Sequence, residues 1–143
     1  MKIKIIPWLL VIFWMALIFN LSHQQAYKSN RLSKGATEII VETIEKVAPN
    51  IVVNKRSFNN TLRKNAHLFA YFVLGILVTN ALRSGGVTGY RAMGLAIFIC
   101  VLYAISDETH QLFIPGRGGQ VKDVIIDSAG AIVGVLGYRI IRA

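Results

Sequence analysis

Charged residues are scarce in this chain, and acidic residues are the scarcer kind. Only 16% of its 143 residues are charged, with 7 acidic residues against 16 lysines and arginines. Typical soluble domains carry about 25% charged residues. The hydrophobic fraction is 54%, the mean hydropathy is +0.51, and the apolar residues come in blocks. This composition excludes an ordinary soluble domain and indicates one integral membrane domain over residues 1–143, since the length allows no second domain.

Cysteine is nearly absent, and no basic helix or aromatic platform is evident. The single Cys100 excludes an intrachain disulfide and lies on no metal-type spacing, so we interpret it as a packing residue. The net charge of +9 and the pI near 10.1 would suit a nucleic-acid binder. The basic residues flank apolar segments instead, which favours membrane lipids as partners, at about 1 kcal/mol per basic residue near anionic headgroups.

Four long apolar segments predict four transmembrane helices, over about 5–22, 66–82, 92–111 and 121–141. The first segment is longer than the ~7–15-residue core of a signal peptide and has no small-x-small cleavage site, so we expect a retained helix. The apolar part of the third is short, so we expect it to continue through Asp107 and His110. The predicted fold class is all-α, an integral membrane four-helix bundle.

A polar loop region over residues 23–64 separates the first two predicted spans. Within it, Ser33 is a candidate cap for a short amphipathic helix that reaches Ala48 and is ended by Pro49 and Asn50. Its apolar residues recur at helical spacing: Ile40, Ile44, Val47 and Ile51. Such a helix either packs on the end of the bundle or lies in the membrane interface, and the sequence leaves both open.

The alternating direction of four spans brings polar residues together at one end of the bundle. The first and third spans end there, and the second and fourth begin there. The residues concerned are Lys64, His67, Tyr71, Asp107, His110, Gln111, Arg117, Asp123 and Asp127, with His23 and Gln24 from the first span. Ionisable groups beside apolar helices are costly to place, so this end is the candidate site.

Helical spacing places the carboxylates of the fourth span inside the bundle. Asp123 and Asp127 share a face that continues as Gly130 and Gly134. A Gly-x-x-x-Gly pattern lets two helix backbones approach closely. Asp127 is then too deep to be well hydrated and needs a partner, for which His67, Lys64 and Arg117 are candidates.

Three motifs carry a family resemblance. The segments RKNAHLFAY (63–71), SDETHQLFIPGR (106–117) and DVIIDSAG (123–130) resemble the VanZ-like family of bacterial membrane proteins. The resemblance covers the chain from about Arg63 to its C-terminus. The family's namesake is associated with low-level resistance to teicoplanin, a drug that binds cell-wall precursors outside the membrane. The resemblance therefore implies a multi-pass protein of the bacterial plasma membrane with a role at the cell envelope, and it assigns no reaction or cofactor.

The candidate catalytic residues are His110, Asp107 and His67. A carboxylate can orient a histidine as acid or base, and Asp107 and His110 share a helix face. Hydrogen bonds that only lock the helix end are the structural alternative. Asp-x-x-His spacing also suits two metal ligands. We predict no metal, because three well-spaced ligands are not evident, although His67, Asp123 and Asp127 could complete a set.

The candidate binding residues are Lys64, Arg117, Gln111, Asp123, Asp127 and Tyr71. Arg117 follows a Pro-Gly turn and suits a bidentate grip on phosphate or carboxylate, or a salt bridge to Asp123 or Asp127. Tyr71 is more typical of a core or interface aromatic than of a ligand. Glu108 is expected to point away from Asp107, toward solvent or headgroups.

Two functions compete on this basis. One is a non-enzymatic envelope protein that binds an anionic lipid or cell-wall precursor and alters access of glycopeptide drugs. The other is a membrane-embedded enzyme on a lipid-linked phosphate or ester, with His110 or His67 as base and Arg117 holding the anion. Lipid transport is a third, and it would need an oligomer.

Two signals in the sequence disagree about the side of the membrane that the site faces. Ten of the 16 basic residues lie on its side, which favours the cytoplasm by a positive-inside count. Lys2 and Lys4 before the first span, and the association of the family's namesake with teicoplanin resistance, favour the opposite side of the membrane. We predict an outward-facing site.

Overall fold

The computed structural model describes residues 4–23, 26–48, 54–116 and 118–142, and only the backbone of 26–33, 56–57, 59–60 and 63. This part of the chain forms five helices and no strand. They are α1 (Ile5–His23), α2 (Ala26–Val47), α3 (Lys55–Ser84), α4 (Gly89–Gln111) and α5 (Val121–Ile141). The prediction of an all-α fold is confirmed.

Four of these helices are long and apolar enough to cross a membrane. They are α1, the Lys64–Ser84 part of α3, α4 and α5. The predicted bounds of the fourth span agree with α5, and α4 begins at Gly89, three residues before the expected start. The predicted helical membrane bundle is therefore confirmed.

The region between the first two spans contains more helix than the expected loop with one short helix. Helix α2 begins at Ala26, so Ser33 lies within the helix and is not its cap. Helix α3 begins at Lys55, nine residues before its apolar part. The first residues of α3 are polar, so hydropathy could not reveal them although the backbone is helical. Pro49, Asn50 and Ile51 lie outside the described residues.

Helix α2 lies against α3, as one of the two interpretations expected. Thr37 and Val41 are buried, whereas Ile39 and Val47 are 68% and 81% exposed. Of the expected apolar face, Ile44 is half-buried whereas Ile40 and Val47 are exposed, so a neighbouring face of α2 contacts α3. Contact of this outer flank with the membrane interface stays a prediction.

The most extensive helix pairing joins α3 and α5. A Cβ at Gly130 would meet the carbonyl oxygen of Leu68, and one at Gly134 would meet that of Phe72. The two backbones are therefore in contact, and the predicted close approach is confirmed. This register sets the first turns of α5 opposite the start of the α3 span. The core around it contains Val11, Ile18, Tyr71, Leu74, Val78, Cys100, Ala104, Ala131 and Val135.

Helix α1 is attached to the bundle by two bonds to backbone carbonyls. The indole nitrogen of Trp14 donates to the carbonyl of Ala70 at 2.8 Å, and the hydroxyl of Tyr103 donates to that of Met15 at 2.6 Å. At the opposite end from the site, the Arg139 guanidinium lies 4.2 Å from the ring centroid of Tyr90. Arg83 at the same end lies 5.6 Å from the ring centroid of Tyr138, so both of these arginines are held on aromatic faces.

Candidate functional site

A polar cavity of about 380 Å³ occupies the end of the bundle where α3 and α5 begin their spans. It is lined by Lys64, His67, Glu108, Gln111, Gly116, Gly118, Gln120, Asp123, Ile126 and Asp127. These residues come from three helices and from the connection between α4 and α5. The predicted convergence of Lys64, His67, Gln111, Asp123 and Asp127 is therefore present in the structure, whereas their roles stay predictions.

Two pairs of ionisable side chains connect the mouth of the cavity with its interior. Lys64 Nζ lies 3.6 Å from Asp123 Oδ1, and these side chains are 50% and 28% exposed. Deeper, His67 Nδ1 lies 3.9 Å from Asp127 Oδ2, with exposures of 26% and 1%. A pair as exposed as the first contributes only about 0–1 kcal/mol, so Lys64 can exchange partners at little cost.

Three side chains from three spans meet at the inner end. Nitrogen or oxygen atoms of His67, Asp107 and Asp127 lie within 4.8 Å of one another. Neither carboxylate oxygen of Asp127 accepts a hydrogen bond from the described part of the chain. A buried carboxylate without donors is costly, so this position calls for a proton or a cation. His67 is the predicted partner that faces it, while Lys64 pairs with Asp123.

Two described residues, Ser22 and Gln111, contact the Asp107 carboxylate. Ser22 Oγ at the end of α1 donates to Asp107 Oδ2 at 2.7 Å, and Gln111 Nε2 lies 3.5 Å from the same oxygen. Ser22 was missed by sequence reasoning, which stopped at its neighbour His23. The alternating topology was a usable signal, because it already placed the end of the first span beside Asp107.

His110 faces α1 and does not join the three-residue cluster. Its Nε2 lies 3.0 Å from His23 Nδ1, and its ring centroid lies 4.6 Å from that of Phe19. One imidazole must donate and the other accept, so this contact requires complementary tautomers. His110 is also not among the cavity-lining residues, and its predicted acid–base role stays a prediction.

The expectation for Glu108 is wrong. It is only 5% exposed and lines the cavity. Its carboxylate accepts hydrogen bonds from Gln111 Nε2 at 3.1 Å and from the backbone N–H of Gln120 at 3.0 Å. Helical geometry correctly separates Glu108 from Asp107, but the α4–α5 connection folds back over it and removes it from solvent.

Two further predicted binding residues are Tyr71, which lies in the core, and Arg117, which lies outside the described residues. Tyr71 is fully buried in the core, with its ring centroid 6.1 Å from that of Tyr103, and it is not a cavity-lining residue. This agrees with its interpretation as a core aromatic. Arg117 lies outside the described residues, as does Gln24, so the predicted grip of Arg117 on an anion stays a prediction.

Spans gathered around one charged cavity define a multi-pass helical membrane protein with a site at one end of its bundle. A family model described as VanZ/LLP1 matches residues 7–142, nearly the whole chain, and the protein belongs to this family. The match includes the first span and α2, which the three sequence motifs did not cover. Among curated proteins and among solved structures, none matches the chain significantly.

Proposed function

We propose that this VanZ-family protein acts at the bacterial plasma membrane by holding the phosphate of an anionic lipid or of a lipid-linked cell-wall precursor. The cavity is the observation that carries the proposal. Its volume of about 380 Å³ falls within the roughly 300–1,000 Å³ of small-ligand sites. Lys64 stands at its mouth, half exposed and weakly paired with Asp123, so an incoming phosphate can replace that carboxylate.

The surroundings of the cavity suit a lipid. The same ends of α3 and α5 carry outward-facing apolar side chains, among them Phe69 and Ile125, which are 61% and 62% exposed. Acyl or prenyl chains can lie along such surfaces while the headgroup enters the polar cavity. Arg117 adds a second cation by sequence, within the segment that connects α4 and α5.

Titration of lipid into the purified protein, followed by native mass spectrometry, tests this proposal. Lys64→Ala should weaken binding of short-chain phosphatidylglycerol about tenfold, which corresponds to about 1.4 kcal/mol. The matched control is Lys122→Ala, because Lys122 is exposed on α5 and does not line the cavity. Equal losses in both variants would refute the site. A parallel titration with a polyprenyl pyrophosphate distinguishes a cell-wall precursor from a membrane lipid.

We further propose that the cavity faces outward and that its occupancy alters access of teicoplanin-type drugs to their target. Cells that express the wild-type chain should tolerate more teicoplanin than cells that express Lys64→Ala at the same level. Gln120→Cys in a Cys100→Ser background reports the orientation, since Cys100 is the only cysteine and Gln120 is exposed. Labelling of Gln120→Cys by a membrane-impermeant thiol reagent only from the cytoplasm would overturn the outward orientation.

The alternative is an enzyme that acts on a lipid-linked phosphate or ester, and one observation favours it. His67 lines the cavity and its Nδ1 lies 3.9 Å from Asp127 Oδ2, so an approach of about 1 Å would let the carboxylate orient the imidazole as a base. Phosphate release from a polyprenyl pyrophosphate, lost in His67→Ala and kept in His110→Ala, would support this alternative. Release that depends on His110 and not on His67 would exclude His67 as the base.

A further inference from the structure

Among the described residues, the inner end of the cavity has more negative than positive groups. Asp107 and Asp127 lie there with His67, and Glu108 and Asp123 line the walls. Lys64 at the mouth offsets one of these charges. An anionic headgroup would therefore meet carboxylates unless a cation lies between them.

Asp127 provides the strongest sign of such a cation. It is 1% exposed, lies against the cavity, and receives no hydrogen bond on either oxygen from the described residues. Its separation of 3.9 Å from His67 Nδ1 is too long for a hydrogen bond, which needs about 2.7–3.2 Å. Two ligands of one ion, each bonded at about 2.0–2.2 Å, lie up to about 4.2 Å apart. The observed separation fits a shared ion.

Asp107 is the third candidate ligand, and Ser22 fixes its orientation. Asp107 comes from α4, so three helices each supply one ligand atom, all within 4.8 Å of one another. Shifts below about 1 Å bring all three to bonding distance. The hydrogen bond from Ser22 orients the Asp107 carboxylate, as groups around a metal site commonly do for its ligands.

We propose that His67, Asp107 and Asp127 bind one divalent cation of the Mn²⁺ or Zn²⁺ class. One imidazole with two carboxylates suits these ions better than Ca²⁺, which takes 6–8 oxygen ligands. Two carboxylates and a divalent ion also sum to zero charge, which lowers the penalty of burying Asp127. The coordination positions on the cavity side are left for water or for a phosphate oxygen.

The bridging of a headgroup phosphate by this ion rests on the function proposed above, whereas binding of the ion itself does not. Lys64 and the ion would then contact the same phosphate from the mouth and from the interior. This explains how a cavity with several carboxylates accommodates an anion.

Electron paramagnetic resonance of the detergent-purified full chain tests the cation site. After treatment with EDTA and its removal, Mn²⁺ should bind at one ion per chain, with a ¹⁴N coupling from His67 in electron spin echo spectra. Asp127→Asn and His67→Ala should weaken Mn²⁺ binding at least about tenfold, and His67→Ala should remove the ¹⁴N signal. The control is Glu42→Gln, which removes one negative charge from an exposed position on α2 outside the cavity and should change the affinity by less than about threefold.

Absence of stoichiometric Mn²⁺ binding to the wild-type chain would overturn the proposal, and so would an equal loss in Glu42→Gln. The ¹⁴N coupling needs no variant, so the test holds even where Asp127→Asn fails to fold. Lipid titration with EDTA and with Mn²⁺ separates the two proposals. Phosphatidylglycerol that binds equally in both conditions refutes bridging and leaves lipid binding intact. Mn²⁺ binding without any lipid binding supports the cation site and refutes the proposed function.

Discussion

The hydroxyl of Ser22 donates a 2.7 Å hydrogen bond to the buried carboxylate of Asp107, and this bond joins the end of α1 to the last turns of α4. Both residues are almost fully enclosed, with Ser22 at 0% and Asp107 at 2% exposure. The bond is therefore protected from water, and it links the outermost span to the candidate site.

Removal of this hydroxyl should destabilise the bundle. Hydrogen bonds to charged groups contribute about 1.5–3 kcal/mol, so we expect Ser22→Ala to lower the free energy of unfolding by that order. Ser106→Ala is the control, because Ser106 is exposed beside Asp107 and its replacement should cost less than about 0.5 kcal/mol. Reversible unfolding in detergent measures both, and equal effects would show that the Ser22 bond contributes nothing.

The α3–α5 contact predicts opposite outcomes for two glycines of one helix. A methyl group at Gly134 would collide with the backbone of Phe72, whereas nothing lies within 4 Å of the Cβ position of Gly137. Gly134→Ala should therefore cost about 1–3 kcal/mol or more, because backbone atoms cannot move aside. Gly137→Ala should be neutral or stabilise the helix by up to about 1 kcal/mol. The same unfolding measurement distinguishes them, and a tolerated Gly134→Ala would contradict the close backbone approach.

The fold of the α4–α5 connection should depend on Glu108. Its carboxylate accepts the backbone N–H of Gln120, so Glu108→Ala removes the acceptor of that amide. A bond to a charged acceptor contributes about 1.5–3 kcal/mol, so hydrogen exchange at the Gln120 amide should accelerate about 10- to 100-fold. Glu108→Gln keeps an oxygen acceptor and should show a smaller increase. Unchanged exchange in Glu108→Ala would mean that other contacts hold the connection.

The sequence was informative where hydropathy and small residues recur. Apolar runs located the four spans, and the Gly130 and Gly134 pattern predicted the close helix contact that sets His67 opposite Asp127. The alternating direction of the four spans was enough to predict that polar residues meet at one end of the bundle. These features depend on the regular geometry of helices, so the spacing of residues along the chain is enough to predict them.

The sequence was uninformative where the chain departs from apolar periodicity. The first residues of α3 are polar, so no hydropathy signal marked the start at Lys55. The burial of Glu108 depends on a connection that folds back onto α4, and such a path is set by tertiary contacts. The division of roles between the histidines also needed coordinates, since spacing put His110 with Asp107 while the structure sets it against His23.

Two of the hydrogen bonds that attach α1 to α3 and α4 end on main-chain oxygen atoms, at Ala70 and Met15. Every amino acid supplies such an oxygen, so replacement of either acceptor residue leaves the bond available. Only the donors, Trp14 and Tyr103, are chemically specific. Substitutions that break either of these two bonds should therefore fall at the aromatic donors, and the residues that supply the carbonyls are free to vary.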